Sequence, residues 1–351
     1  MPGCAISSEL PFRRGTLGSD PPLRSSLPPP PRLTAAEPAP ATSRGVATVD
    51  PALPSASAAS GASPSPVPAT PAGGRRYPVL PTTPAALAAL LADREAALRD
   101  PATPEALLPA LAHQQQVLYR VLARQPQLAD PVRRALPARW QPLLDRHLEA
   151  RRAFLAMHPP RGGVNRVPAW RILHPAPEAE LLRLYREAAK ATGIPWEVLA
   201  AIHLVESAMG RIDGVSVAGA QGPMQFLPST WAEPGIGRGG DIRDPRAAIP
   251  AAARYLVRRG GLQDIRRGLW GYNNSDHYGR GVLAYAALLR QDPAAYRGLY
   301  HWQVHLTSSA GDLWLPEGLE LRQAEPVEAF LKRHPQAAPA AAQAPNPNGR
   351  L

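Results

Sequence analysis

The stretch Trp196-Glu197-Val198-Leu199-Ala200-Ala201-Ile202-His203-Leu204-Val205-Glu206-Ser207-Ala208-Met209-Gly210 places one acid at the end of an otherwise apolar run. Pro195 stands where a helix opens, and Leu199, Ile202, His203 and Glu206 share one broad face. Two effects push the Glu206 carboxyl toward its protonated form: desolvation by Leu199 and Ile202, and the negative end of the helix dipole. A carboxylic acid that keeps its proton near neutral pH can act as a general acid. From this helix alone, the plainer reading is a surface acid on a polar face.

Working outward, the helical periodicity continues on both sides. Leu181, Leu182, Leu184, Tyr185 and Ala188 form the apolar face of a preceding helix that stops at Gly193. Asp244-Pro245 opens a later one, with Ala248, Ala252, Tyr255 and Leu256 inward and Gly260-Gly261 as the stop. Another covers about 277–291, and Asp292-Pro293 opens a short last one. His301–Leu306 and Asp312–Leu315 flank Ser308-Ser309-Ala310-Gly311 and read as a β-hairpin. Upstream, 84–99 is helical, Thr103-Pro104-Glu105 caps a helix running to about Arg124, and a third helical region covers about 130–157. Residues 158–176, with four prolines, read as an irregular connection.

Composition sets the outer limits. Of 351 residues 44 are proline, against a usual level of roughly one in twenty. Seventeen of them fall in residues 1–80, among Ser, Ala and Thr, where too few large apolar residues occur to offset chain entropy. The expected organisation is a disordered tether over 1–81, a helical module over 82–157, a linker over 158–176 and a catalytic domain over 177–318. A short helix and disordered tail over 319–351 complete it. The fold class expected is all-α, with a small appended hairpin.

A single cysteine, Cys4, allows no intrachain disulfide and no cysteine-based metal site. No apolar run is long enough to span a membrane, and MPGCAISSEL is not a secretory signal as it stands. Gly3-Cys4 before a Pro/Ser-rich stretch has the look of a bacterial lipid-anchor site, which requires a start further upstream; the alternative is an incidental cysteine. The charge of +11 is almost wholly arginine and favours an anionic partner: nucleic acid, a membrane surface or an acidic wall polymer. No zinc-finger spacing, HExxH or phosphate-binding loop is present, so no metal and no cofactor are expected, and no nucleic acid is expected as partner.

The loop after Glu206 narrows the choice. Gly222-Pro223-Met224-Gln225-Phe226-Leu227-Pro228-Ser229-Thr230-Trp231 packs small residues, an amide and aromatics together. Glu206-Ser207, this segment, Ala252-Ala253-Arg254-Tyr255-Leu256 and Tyr272-Asn273 follow in an order and spacing that resemble the soluble and membrane-bound-B-like lytic transglycosylases of the lysozyme superfamily. The resemblance covers about 178–318. It implies a lysozyme-like helical catalytic domain that cleaves the MurNAc–GlcNAc bond of peptidoglycan glycan strands. Glu206 is then the single acid/base, closing a 1,6-anhydro ring without water.

By position, the resemblance puts Ser207, Met224, Gln225, Tyr272 and Asn273 against the substrate, with the Tyr272-Asn273 pair facing the acid across the groove. Tyr255 and Trp231 are each open to two roles, substrate contact or support. A hydrolysing muramidase on the same fold and a non-catalytic peptidoglycan-binding protein remain alternatives. The substrate implies the cell envelope, periplasmic or secreted. Asp213 is the only acid close enough in sequence to serve as a second carboxylate.

Overall fold

The computed structural model describes residues 75–157 and 163–339. In chain order the elements are α1 (Pro84–Arg99), α2 (Leu108–Arg124), α3 (Pro126–Ala135), α4 (Gln141–Met157), β1 (Arg166–Val167), β2 (Arg171–Ile172), α5 (Glu178–Thr192), α6 (Trp196–Ser207) and β3 (Ile212–Asp213). They continue with α7 (Pro228–Trp231), α8 (Pro245–Arg258), α9 (Ile265–Tyr272), α10 (Asp276–Gln291), α11 (Ala295–Tyr300), β4 (Val304–Ser308), β5 (Gly311–Leu315), β6 (Glu325–Pro326) and α12 (Val327–Arg333). The chain is mostly helical, as the periodicity predicts.

Local chemistry accounts for several helix ends. Thr83, Asp244, Asp264 and Ser275 each accept a hydrogen bond from a first-turn backbone N–H of α1, α8, α9 and α10. Gly193 closes α5 in the left-handed region at φ 82°. The expected Thr103 cap does not form: its hydroxyl donates to the Ala97 carbonyl instead, and a short 3₁₀ turn over Glu105–Leu107 leads into α2. The helical region expected over about 130–157 comprises two helices, the end of α3 and all of α4, because Pro137 interrupts the ladder before a 3₁₀ turn at Ala138–Trp140. The helix α9 was not read from the sequence, as its eight residues hold two glycines.

One continuous apolar core runs from α1 through α11, and α6 lies inside it. Every residue from Val198 to Ser207 is buried, so α6 is a helix with no solvent face. Its neighbours are α10, α5 and α8. The most extensive packing in the chain is α4 against α10, so the helical region over 84–157 forms one body with the helices that follow it. Gly281 of α10 makes that approach possible: a Cβ there would lie within 3.0 Å of three ring carbons of Phe154 on α4.

A second, smaller core lies around the strands. The hairpin forms as expected, with β4 and β5 antiparallel and Val304 opposite Leu315. The expected connection over 158–176 carries β1 and β2, which pair with β6 and β3. Val167, Trp170 and Ile172 are buried there. Likewise the expected tether is already structured at 75–81, where Tyr77 is buried and donates to Asp312 at 2.7 Å. The expected tail is structured through residue 339, with Ala337 and Ala338 buried. Short apolar residues between prolines found partners that only the folded chain supplies. Cys4 and the rest of the expected tether lie outside the described residues.

Two buried polar networks tie the first helices to the rest. Glu95 accepts from Arg99, from the Tyr119 hydroxyl and, at 2.8 Å, from Gln115, while Arg99 also donates to Asp292 at 2.7 Å. Asp312 accepts from Arg120, Tyr77 and His305, and His305 stands 3.1 Å from His113. His305, on the first strand of the hairpin, is thus a buried member of this network.

The Gly281–Phe154 contact can be weighed directly. Gly281→Ala gains about 1 kcal/mol of helix propensity but forces overpacking that costs about 1–3 kcal/mol. The expected outcome is a Tm lowered by a few degrees in a calorimetric scan, with a smaller loss when Phe154→Leu makes room.

Candidate active site

Glu206 lies in the last turn of α6 and is completely buried. Its Oε1 accepts a hydrogen bond from the Tyr278 hydroxyl at 2.7 Å, and its Oε2 has no protein partner. Burial pushes the carboxyl up to about 8, against a smaller downward pull from the Tyr278 hydrogen bond. No cation enters that balance, so at neutral pH the group holds a proton it would lose in water.

The chain leaves α6 through three consecutive left-handed residues, Ala208 at φ 54°, Met209 at φ 62° and Gly210 at φ 87°. Left-handed backbone costs a non-glycine residue roughly 1–2 kcal/mol. Burial of Ala208 and Met209 in the two cores helps to hold them there. The sharp exit lets Ser207 accept from the Gly210 N–H at 3.0 Å while donating to the Pro223 carbonyl at 2.6 Å.

That second bond is one of two pins on a closed loop. Gln221 and Phe226 exchange backbone hydrogen bonds of 2.8 and 3.0 Å. Inside the loop Gly222 (φ 74°) presses against the Ile242 carbonyl so closely that no Cβ fits. Gln225 is held at φ 49°, and its side-chain amide donates to the Gly222 carbonyl at 2.9 Å. The other pin is Tyr272, whose hydroxyl donates to the Met224 carbonyl at 2.7 Å.

The residues singled out in the sequence therefore converge, but several have work other than the one expected. Ser207, Met224, Gln225 and Tyr272 are all buried and knit the loop to α6 and α9. Asn273 is half-buried and caps α9. Tyr255 donates to the Gly271 carbonyl at 3.2 Å and packs against Phe226 and Tyr272. Trp231 donates to the Gly240 carbonyl at 3.1 Å and meets Phe226 edge-on. Asp213 is ion-paired with Arg171 and lies 3.7 Å from Arg243.

The hydroxyl that meets Glu206 is not that of Tyr272. Tyr272 stacks parallel to Tyr278 with ring centres 6.4 Å apart, and Tyr278 makes the contact. The sequence signal for Tyr278 was slight: it is the third residue of a helix capped by Ser275, on a face with Val282 and Tyr285. Among the described residues no three His, Cys, Asp or Glu side chains converge as a metal site would require.

The sequence model of the transglycosylase SLT domain matches residues 183–285, from within α5 to within α10. That segment is a transglycosylase SLT domain. It contains Glu206, the pinned loop and Tyr278, and the match supports a likeness of this segment to the lytic transglycosylases of the lysozyme-like superfamily. No curated protein and no solved structure matches the chain. SLT domains act on peptidoglycan in the cell envelope. Among the described residues no helix is long and apolar enough to cross a membrane.

The state of Glu206 has a consequence for stability. Between about pH 4.5 and 8 the folded chain keeps a proton that the unfolded chain has released, so stability falls as pH rises through that window. Glu206→Gln, neutral at every pH, removes the loss. Thermal melts should coincide for the two proteins near pH 5 and separate by several degrees at pH 8.5, the variant being the more stable.

Proposed function

We propose that the protein is a lytic transglycosylase that cleaves the β-1,4 bond between MurNAc and GlcNAc, with Glu206 as its only acid/base. The observation that carries this reading is the asymmetric state of one buried carboxyl: Oε1 is fixed by Tyr278, and Oε2 is free of protein partners. A group pushed up to about 8 holds its proton at neutral pH and can deliver it.

The steps follow from that single group. The Oε2 proton passes to the bridging oxygen as the bond from C1 of MurNAc breaks. Positive charge at C1 is met by the carbonyl oxygen of that sugar's own N-acetyl group. The Glu206 carboxylate then takes the proton of the C6 hydroxyl, and O6 closes on C1 to give the 1,6-anhydro ring. Glu206 ends protonated as it began, and water is not consumed. A retaining or inverting hydrolase would need a second carboxylate at about 5–9 Å, whereas Asp213 is already committed to Arg171 and Arg243.

Tyr278 enters both half-steps. Its hydroxyl orients the carboxyl and favours the charged form, so it eases the moment when Glu206 has given up its proton. Ser207, Tyr272 and Gln225 act as positioning residues that hold the loop beside the acid. The +11 charge assists capture of an acidic wall polymer, and such a substrate places the enzyme outside the cytoplasmic membrane.

Digestion of purified sacculi tests the reading by its product. Mass spectrometry should find anhydro ends; reducing ends would identify a hydrolase. Glu206→Gln should lower the rate by about 10²–10⁴-fold, and clearing that survives this change refutes the assignment. The rate should fall as pH rises above about 8, where Glu206 loses its proton. Tyr278→Phe removes the interaction that lowers the acid's pKa, so it should shift that alkaline limb upward and reduce kcat by about tenfold.

A further inference from the structure

The Tyr278 hydroxyl fixes Oε1 of Glu206, while Oε2 has no protein partner. Whatever holds the Tyr278 ring therefore governs how the acid is aimed. That ring is fully buried between two others. On one side Tyr272 lies parallel to it, with centres 6.4 Å apart, and is itself fixed to the Met224 carbonyl at 2.7 Å. On the other Phe154 of α4 meets it edge-on at 6.5 Å.

Phe154 is seated on α10 at three points. Besides Tyr278, its ring stacks on Tyr285 with centres 6.2 Å apart, and a Cβ at Gly281 would come within 3.0 Å of it. Tyr278, Gly281 and Tyr285 follow at i, i+3 and i+7, so they line one stripe of the helix. Phe154 fills the notch that the glycine leaves in that stripe. It lies outside residues 183–285, the segment that matches the SLT domain, and no cleavage step above uses it.

Resting on the reading of Glu206 as the acid, we infer that Phe154 is a positioning residue: from outside the SLT domain, its ring holds Tyr278 with the hydroxyl on Glu206. Packed interiors keep a ring in place only while both its sides are filled. The hydroxyl sits at the far end of the Tyr278 ring, so a small tilt at its base displaces it most. A hydrogen bond weakens steeply with such a displacement.

The effect on the acid has a definite sign. The Tyr278 hydrogen bond draws Glu206 toward its charged form, against burial. With that bond loosened, burial acts unopposed and the proton is kept to higher pH. The titratable groups facing the carboxyl are Tyr278 of α10 and Tyr272 of α9. Among the described residues α5 and α8 bring no charged group into its balance.

Carbon-13 NMR of the glutamate carboxyls in the full chain follows this titration directly, with the Glu206 signal assigned by its loss in Glu206→Gln. Sacculus digestion across pH supplies the rate profile. Phe154→Ala should raise the Glu206 midpoint and the alkaline limb together by about half to one pH unit, lower kcat and leave KM unchanged. Phe154→Leu should move both in the same direction by less, and it decides the matter if the alanine variant does not fold. In a Tyr278→Phe background neither substitution should move the midpoint further. A midpoint that stays or falls in a folded variant, or that moves as far without the Tyr278 hydroxyl, overturns the assignment. If the midpoint moves as expected but the parent protein leaves sacculi intact, the glycan reading fails and the positioning of Glu206 stands.

Discussion

The last turn of α6 is buried on every side, and a carboxyl must live there. An unpaired charge in such a place is expensive, and among the described residues no arginine or lysine balances Glu206. The fold answers with a proton and one neutral donor, the Tyr278 hydroxyl. That choice leaves the second oxygen available and fixes the demands on everything nearby. The chain must leave the helix abruptly, through Ala208, Met209 and Gly210, and the following loop must be held at two carbonyls, Pro223 and Met224. Strain at Gln225 and at the helix exit is carried by a core that runs through most of the helices.

The first four helices belong to this arrangement. Phe154 of α4 meets Tyr278 edge-on at 6.5 Å and fills the space left by Gly281. Tyr278 is thus set between Phe154 and Tyr272, with its hydroxyl on Glu206. A change in α4 reaches the acid through one ring. The networks around Glu95 and Asp312 keep these helices in place, since a buried charge that loses its partners costs several kcal/mol. The region that reads in the sequence as a separate helical module packs against the helix that carries Tyr278.

Much of the candidate site was legible because its signals are local. The apolar run ending in Glu206, the glycine at 222 and the Asp244 cap each depend on residues a few positions apart, as does the Gly193 stop. Roles decided over long distances were not legible. The residues Tyr272 and Tyr278 look alike in sequence, and only the packing of α9 and α10 decides which hydroxyl turns to Met224 and which to Glu206. The strands at 166–167 and 171–172 are too short to show a period and exist because β6 and β3 pair with them.

The sequence alone determined a helical body rich in capped helices, a net positive surface and one acid at the end of an apolar helix. Periodicity fixes which face of a helix is buried, and end chemistry fixes where it stops. The tertiary structure decided what that acid is. Its burial, its raised proton affinity and its hydroxyl partner come from chains of contact that no local pattern encodes, the decisive one joining residues 72 positions apart. A carboxyl's chemistry depends on the dielectric and donors around it, and those are assembled only when α4, α6, α9 and α10 pack together.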